Sequence, residues 1–145
     1  MFKPEILQVF PPFDGQPPTE RPDLSTLTSL NPLAGHCAAI YVGKVFHLFS
    51  EENQLRFAKA LAGLLSPLPG SVILGTHVSN SQKGVLLVEH AGRAADMFCH
   101  SPESWAALWD GEVFAKGKVR VDATLEWTDR EGLAFWEMKW SVMRL

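Results

Sequence analysis

Apolar and polar residues alternate strictly near the end of the chain. Apolar side chains occupy every second position from Val119 to Trp127, and the alternation resumes from Trp136 to Val142 after a polar turn at residues 129–132. A period of two residues is typical of half-buried antiparallel strands. The pattern therefore predicts a terminal β-hairpin.

A strand, a helix and a second strand are predicted between residues 35 and 78. The strands cover residues 36–42 and 71–78, and a helix over residues 51–65 begins after Ser50 and ends before Pro67. Serine is a favoured N-cap, and proline ends a helix. A βαβ unit implies a parallel sheet, and such sheets bind ligands at the carboxyl ends of their strands. His47 and His77 both lie near such ends.

The rest of the chain is less regular. A second helix is predicted over Pro102–Trp109, with Ser101 as its N-cap. Residues 84–89 fit either a short strand or the start of an irregular lid. The proline-rich residues 1–34 predict an irregular N-terminal segment with a short turn around residues 23–27. We therefore divide the chain into this segment and a domain over residues 35–145.

Composition excludes several classes of protein. The chain has 145 residues, enough for one domain, and its net charge is −3 without a basic stripe, which argues against nucleic acid as a partner. The apolar stretches are too short to span a membrane, and the first residues lack the apolar core of a signal peptide. With two cysteines, we expect a cytoplasmic protein with free thiols.

Three segments resemble the back half of class I S-adenosylmethionine-dependent methyltransferases. They are Val45-Phe46-His47-Leu48-Phe49, the run from Leu64 to Ile73 with its Ser66-Pro67-Leu68-Pro69-Gly70 connection, and the signature from Met97 to Gly111. The last is the most specific and is similar to O-methyltransferases of fungal secondary metabolism, including meroterpenoid enzymes. The resemblance runs from about residue 24 to the C-terminus. It implies an α/β fold, a partial Rossmann-like sheet, and methyl transfer to an oxygen of a small-molecule acceptor.

The chain departs from the family at the cofactor site. No G-x-G-x-G turn follows a strand, and no acidic residue ends a second strand to hold the ribose. The chain therefore looks like the carboxyl-terminal half of such an enzyme, with the glycine-rich N-terminal half missing. S-adenosylmethionine is the implied cofactor, with weak or no binding expected in the isolated chain. Whether the chain is an enzyme stays open.

The missing N-terminal half also predicts partners for the chain. The family sheet has the order 3-2-1-4-5-7-6, so this half would keep 4-5-7-6 and expose the strand at residues 36–42 as an open edge. A second copy of the chain, or a complementing methyltransferase chain, would cover that edge. The alternative function is a non-catalytic or partner-dependent homologue that acts as an interaction subunit. A weaker third is a cofactor-independent isomerase or cyclase.

The resemblance assigns roles to residues near the predicted strand ends. His47 would be catalytic, by positioning the acceptor and removing its proton; the alternative is a structural histidine at a strand–helix corner. The residues assigned to the cofactor are Met1 and Phe2, as the remnant of a motif near the adenine, and Val42, Gly43 and Lys44. A simple turn would also explain the last three, and the cation of Lys44 is unexpected beside a sulfonium.

Aromatic residues are the candidates for acceptor binding. They are Phe46, His77, Trp105 and Trp109, and the alternative for the aromatic residues is packing in the core. We expect no metal site. His36-Cys37 and Cys99-His100 match no common zinc spacing, and adjacent residues on a strand point to opposite faces. A serine hydrolase is also disfavoured because the G-x-S-x-G elbow is absent.

Overall fold

The computed structural model describes residues 3–17, 19–90, 92–130 and 132–145. Over these residues the chain forms a four-stranded sheet, a separate two-stranded sheet and two α-helices. The elements in chain order are β1 (Ala39–Gly43), α1 (Glu51–Leu64), β2 (Val72–Ser79), β3 (Gly84–His90), β4 (Arg93–Cys99), α2 (Pro102–Trp109), β5 (Val119–Arg130) and β6 (Leu133–Arg144).

The four-stranded sheet has the order β1-β2-β6-β5. β1 is parallel to β2, whereas β6 is antiparallel to both β2 and β5, so three strands run in one direction and β6 runs against them. This is the 4-5-7-6 order expected from the resemblance. The prediction of an α/β, partial Rossmann-like sheet with a terminal antiparallel hairpin is confirmed.

The first strand begins later than predicted, at Ala39 instead of residue 36. The reason is that the preceding residues bond to the end of α1. The Cys37 amide donates to the Leu64 carbonyl, and the Ser66 amide donates to the Cys37 carbonyl. Residues 36–38 therefore bridge the helix end and the sheet instead of extending the strand.

The two helices form where their capping residues predict. The Ser50 side chain accepts from the Asn53 amide at the start of α1, which ends at Leu64, one residue before the predicted end. α2 covers the predicted residues, and Ser101 and Ser104 form a reciprocal capping box at its start. These bonds satisfy amides that have no partner within a helix.

Residues 84–89, for which the sequence left two alternatives, belong to the strand β3. β3 pairs antiparallel with β4 in a sheet of its own. The pairing was hard to predict because Val85, Leu86, Leu87 and Val88 form a continuous apolar run without alternation. The two strands form a second hairpin between β2 and α2 in the chain.

The N-terminal segment is held by bonds within itself and by a bond to the domain. Within the segment, the Asn31 side chain donates to the Pro4 carbonyl and accepts from the Gln8 amide. From the domain, the Arg144 guanidinium donates to the Phe13 carbonyl. The predicted turn is a 3₁₀ turn at Leu24–Thr26. The domain boundary at residue 34 stays a prediction.

The core lies where α1, α2 and the inward faces of β2 and β6 meet. Its largest fully buried side chains include Trp105 and Trp109 of α2, Ile73 of β2 and Met138 of β6. They belong to one continuous apolar cluster. Among the described residues, no helix is both long enough and apolar enough to cross a membrane.

Candidate active site

The parallel strands β1 and β2 end side by side and set the position of the candidate site. Gly43 pairs with Thr76, and the Lys44 amide donates to the Thr76 carbonyl at 2.7 Å. Lys44 then takes a left-handed backbone conformation, with φ of +57°, which turns the chain sharply out of the sheet. The turn leads into a 3₁₀ helix, Phe46–Leu48, that carries His47.

An ion pair crosses the end of β2. Lys44 Nζ bonds Glu137 Oε1 on β6 and also lies 5.2 Å from the centre of the Phe135 ring. Glu137 is 4% exposed, so its carboxylate needs a charged partner. Lys44 meets that need, and in the ion pair the two opposite charges partly offset each other.

His47 is half-buried beside the end of β2. The Val78 amide donates to His47 Nδ1 at 3.4 Å, a long hydrogen bond. Burial, and to a lesser extent the charge of Lys44, lowers the pKa of His47 from its ordinary 6.5, so the ring is neutral at pH 7. A neutral ring that accepts at Nδ1 carries its hydrogen on Nε2. The free nitrogen of His47 is therefore a hydrogen-bond donor.

A cleft opens next to His47, and we call it the His47 cleft. Its volume is about 730 Å³. The end of β2, both strands of the β3–β4 hairpin and the tip of the β5–β6 hairpin contribute its walls. The lining includes His47, Asn80, Leu86, Met97, Trp127 and Trp136.

The four side chains assigned to acceptor binding lie in the core and not in this cleft. Phe46, Trp105 and Trp109 are 0% exposed and His77 is 1% exposed. The Phe46 ring packs edge-on against Trp105, with centroids 4.8 Å apart. Their burial favours the alternative of core packing, while a role in acceptor binding stays a prediction. For Trp105 and Trp109 the sequence could not separate the two, because either role requires an apolar helix face.

Two buried histidines are held neutral. The Trp140 indole N–H donates to His77 Nδ1 at 2.9 Å, and burial, followed by repulsion from the protonated forms of His47 and His100 and from Lys44, lowers the pKa of His77 to about 3. Burial, and then Lys83, lowers the pKa of His100 to about 4, although Glu51 opposes this. Both rings are uncharged at neutral pH.

The remaining predicted cofactor positions are Val42, Met1 and Phe2. Val42 is buried on β1, next to Gly43, whereas Met1 and Phe2 lie outside the described residues. Cys99 is buried, which raises its thiol pKa to about 11 and makes it a poor nucleophile. Among the described residues, no group of three or more His, Cys, Asp or Glu is placed to hold a metal ion.

Sequence reasoning missed the two tryptophans and the glutamate of the site. The alternation in the terminal hairpin gave Trp127 and Trp136 the parity of core positions, yet they are 59% and 37% exposed. The hairpin is longer than the core is wide, so its tip leaves the core. The signal for this exposure was the length of the alternating run, together with a tryptophan close to the turn on each strand. Nothing in the sequence pairs Glu137 with Lys44, since 93 residues separate them.

The sheet order and the strand-end turn agree with those expected of the carboxyl-terminal region of a class I methyltransferase, and the chain is similar in sequence to two fungal methyltransferases. The chain is 28% identical over 102 residues to O-methyltransferase phiE of a fungal species (strain ATCC 74256). It is 28% identical over 103 residues to methyltransferase adrK of Penicillium roqueforti. Each match covers 70% of this chain, and the chain spans only about a third of each relative, 33% and 35%. The resemblance to fungal O-methyltransferases is confirmed.

Two further comparisons are less informative. No protein-family model matches the chain. Among solved structures, the chain is similar to one described as "DhpI-SAH complex structure", at 13% identity and a TM-score of 0.39, over 74% of this chain and 46% of that one.

Proposed function

We propose that this chain takes part in S-adenosylmethionine-dependent methyl transfer to an oxygen of a small molecule, in secondary metabolism. The observation that carries the proposal is that three features meet at the carboxyl ends of β1 and β2. These are the glycine that ends β1, the half-buried His47 after it, and the adjoining cleft. Ligands of parallel α/β sheets bind at the carboxyl ends of the strands.

The residues at the end of β1 suit the sulfonium side of the cofactor. At Gly43, the Tyr41 ring lies 3.0 Å from where a Cβ would stand, and because that ring is 70% exposed it can turn aside and let a ligand approach the backbone closely. Lys44 brings no unpaired cation there, because Glu137 binds it. Gly43 and the backbone of Lys44 would hold this part of S-adenosylmethionine, which supplies an electrophilic methyl group. The 145 residues contain no glycine-rich turn for the nucleoside side.

His47 would position the acceptor by donating a hydrogen bond from Nε2. In the neutral ring, the nitrogen that could remove a proton is Nδ1, and it accepts from the Val78 amide. A donor at Nε2 suits an acceptor oxygen that is already ionised, such as a carboxylate or an acidic phenolate, which needs no base. We therefore expect acidic acceptors to be methylated and simple alcohols to be left unchanged.

Variants of His47 test this role. The chain is incubated with S-adenosylmethionine and a panel of aromatic carboxylic acids, acidic phenols and alcohols, and the formation of S-adenosylhomocysteine is measured. We expect His47→Ala to lower turnover about tenfold or more, because a hydrogen bond to a charged oxygen contributes at least about 1.5 kcal/mol. We expect His47→Gln, whose amide also donates, to keep most of it. Leu48→Ala, in the same turn and largely exposed, is the matched control and should behave as the wild type.

Two results would contradict the proposal. Equal loss in His47→Gln and His47→Ala, with both variants folded by circular dichroism, would exclude a donor role and return His47 to proton removal. Absence of turnover in the folded wild type with every acceptor would instead favour the alternative function. That alternative is a partner-dependent or non-catalytic interaction subunit. The observation that favours it is the open side of β1, since β1 pairs only with β2 among the described strands.

A further inference from the structure

Two tryptophans stand opposite each other on an exposed hairpin tip. Trp127 of β5 pairs with Trp136 of β6, and their ring centroids are 5.2 Å apart in an edge-to-face arrangement. Leu133, at the same tip, is also largely exposed. A contiguous apolar surface of this kind on a protein usually marks an interaction site. Indole rings can provide a flat, rigid wall for such a site at little cost in side-chain entropy.

The β3–β4 hairpin supplies the opposite wall of the His47 cleft. Leu86 and Met97 are paired across its two strands, and Val88, on the same face of β3 as Leu86, continues the apolar surface. Methionine is flexible and adapts to ligands of irregular shape. The volume of about 730 Å³ between these walls is within the range of small-molecule sites.

The polar groups of the cleft are few and sit mainly at the end of β2. Ser79 uses its hydroxyl to bond the His100 carbonyl, so it is not free to bind a ligand. Asn80 accepts from the Ser81 amide. His47 Nε2 and the side-chain NH₂ of Asn80 remain as donors there, and Glu89 is the charged residue among the described residues of the lining. Most of the binding surface is therefore apolar.

We propose that the His47 cleft binds a flat, mostly hydrocarbon small molecule of at least two fused rings, whose oxygen accepts a hydrogen bond from His47. The Trp127–Trp136 pair forms one wall, against which the ring system packs, and the β3–β4 hairpin forms the other. This deepens the proposed function by giving the class of acceptor, and it rests on that function only for what happens to the ligand afterwards. Binding itself requires no cofactor.

The shape of the site favours a small ligand over a second protein chain. His47 is half-buried and lines the cleft, so a group that bonds its Nε2 from the cleft enters between the two walls. A flat ring system fits such a gap, whereas a packed protein surface would rest on the exposed rim formed by Leu87 and Leu133. The occupant of the cleft is therefore narrow and carries its polar atom at one end.

A fluorescent probe tests the inference without knowledge of the natural ligand. The probe is 6-propionyl-2-dimethylaminonaphthalene, a planar bicyclic ketone whose emission shifts to the blue in apolar surroundings. We expect saturable binding at one site per chain, with Kd raised about tenfold in Trp136→Ala and in Trp127→Ala. Tyr41→Ala is the matched control, because Tyr41 is an aromatic residue on β1 that is 70% exposed and does not line the cleft. It should leave Kd unchanged.

Several outcomes would overturn the inference. The first is that the probe shows no saturable binding. The second is that the wild type and both tryptophan variants have equal Kd values for the probe. The third is that Tyr41→Ala raises Kd as much as the tryptophan variants do. A dimer in sedimentation that the probe dissociates would also do so, since it would make a second copy the occupant. The experiment contains no S-adenosylmethionine. Probe binding without methyl transfer would therefore refute the proposed function alone, whereas methyl transfer without probe binding would refute this inference alone.

Discussion

Replacement of Gly75 by alanine is expected to lower the free energy of unfolding by about 3 kcal/mol or more, the upper end for overpacking. Gly75 lies in β2, between Val42 of β1 and Trp140 of β6. A Cβ there would overlap the Val42 carbonyl oxygen and lie 2.9 Å from Trp140 Cζ2. A backbone atom cannot move aside as a side chain can, so β1 would have to separate from β2. The turn that carries His47 would move with it.

Urea unfolding, followed by far-ultraviolet circular dichroism, measures this effect. Gly43→Ala is the matched control, since it also adds a methyl group to a strand glycine but meets only the exposed ring of Tyr41. We expect the control to stay within about 1 kcal/mol of the wild type. A Gly75→Ala protein that fails to fold agrees with the account, whereas one as stable as Gly43→Ala contradicts the packing described for β1 and β2.

The chain is also expected to lose stability steeply as the pH falls below about 6.5. His77 and His100 have folded-state pKa values of about 3 and about 4, whereas the ordinary value is 6.5. Because the unfolded chain binds these protons more readily, protonation favours unfolding. The free energy of unfolding keeps its full value above pH 6.5, the histidine pKa in the unfolded chain. It declines as the pH falls from there toward the folded-state pKa values, by up to about 1.4 kcal/mol per pH unit for each histidine. A marginally stable domain would unfold before pH 4.

Unfolding free energies measured in urea between pH 7.5 and pH 4.5 test the acid effect. His77→Asn cannot be protonated in this range and keeps an acceptor for the Trp140 indole, so its pH dependence should be shallower by the contribution of one histidine. Ile73→Val is the control, because trimming a fully buried side chain costs about 1 kcal/mol at every pH and should leave the slope unchanged. A slope in His77→Asn equal to that of the wild type would show that His77 is not buried as described.

Local sequence signals accounted for both helices and for the terminal hairpin. Ser50 and Ser101 mark the helix starts, and the alternation from residue 119 onward marks the terminal hairpin; all of these are found in the structure. The order of the strands came from the resemblance, since periodicity alone does not say which strands are neighbours. The start of β1 was missed because bonds to the end of α1, which no local pattern encodes, keep Cys37 outside the strand.

The site itself was only partly predictable. Its position just after a strand end indicated His47, whereas Gly43 was indicated by the resemblance. The pairing of Lys44 with Glu137, the exposure of Trp136 and the burial of Trp105 depend on how distant segments meet. Helical spacing identified Trp105 and Trp109 as one face of α2, but whether that face meets the sheet or a ligand is decided by tertiary packing.

Isothermal titration of the folded chain with S-adenosylhomocysteine, alongside S-adenosylmethionine, tests the central claim of a methyltransferase site most directly. The account predicts saturable heat with a Kd below about 1 mM. Gly43→Trp should abolish it by filling the space at the end of β1, whereas Ala39→Trp, at the start of the same strand, should bind as the wild type does. No saturable heat with either ligand from a folded sample, or equal binding by the two variants, would contradict cofactor binding at this strand end.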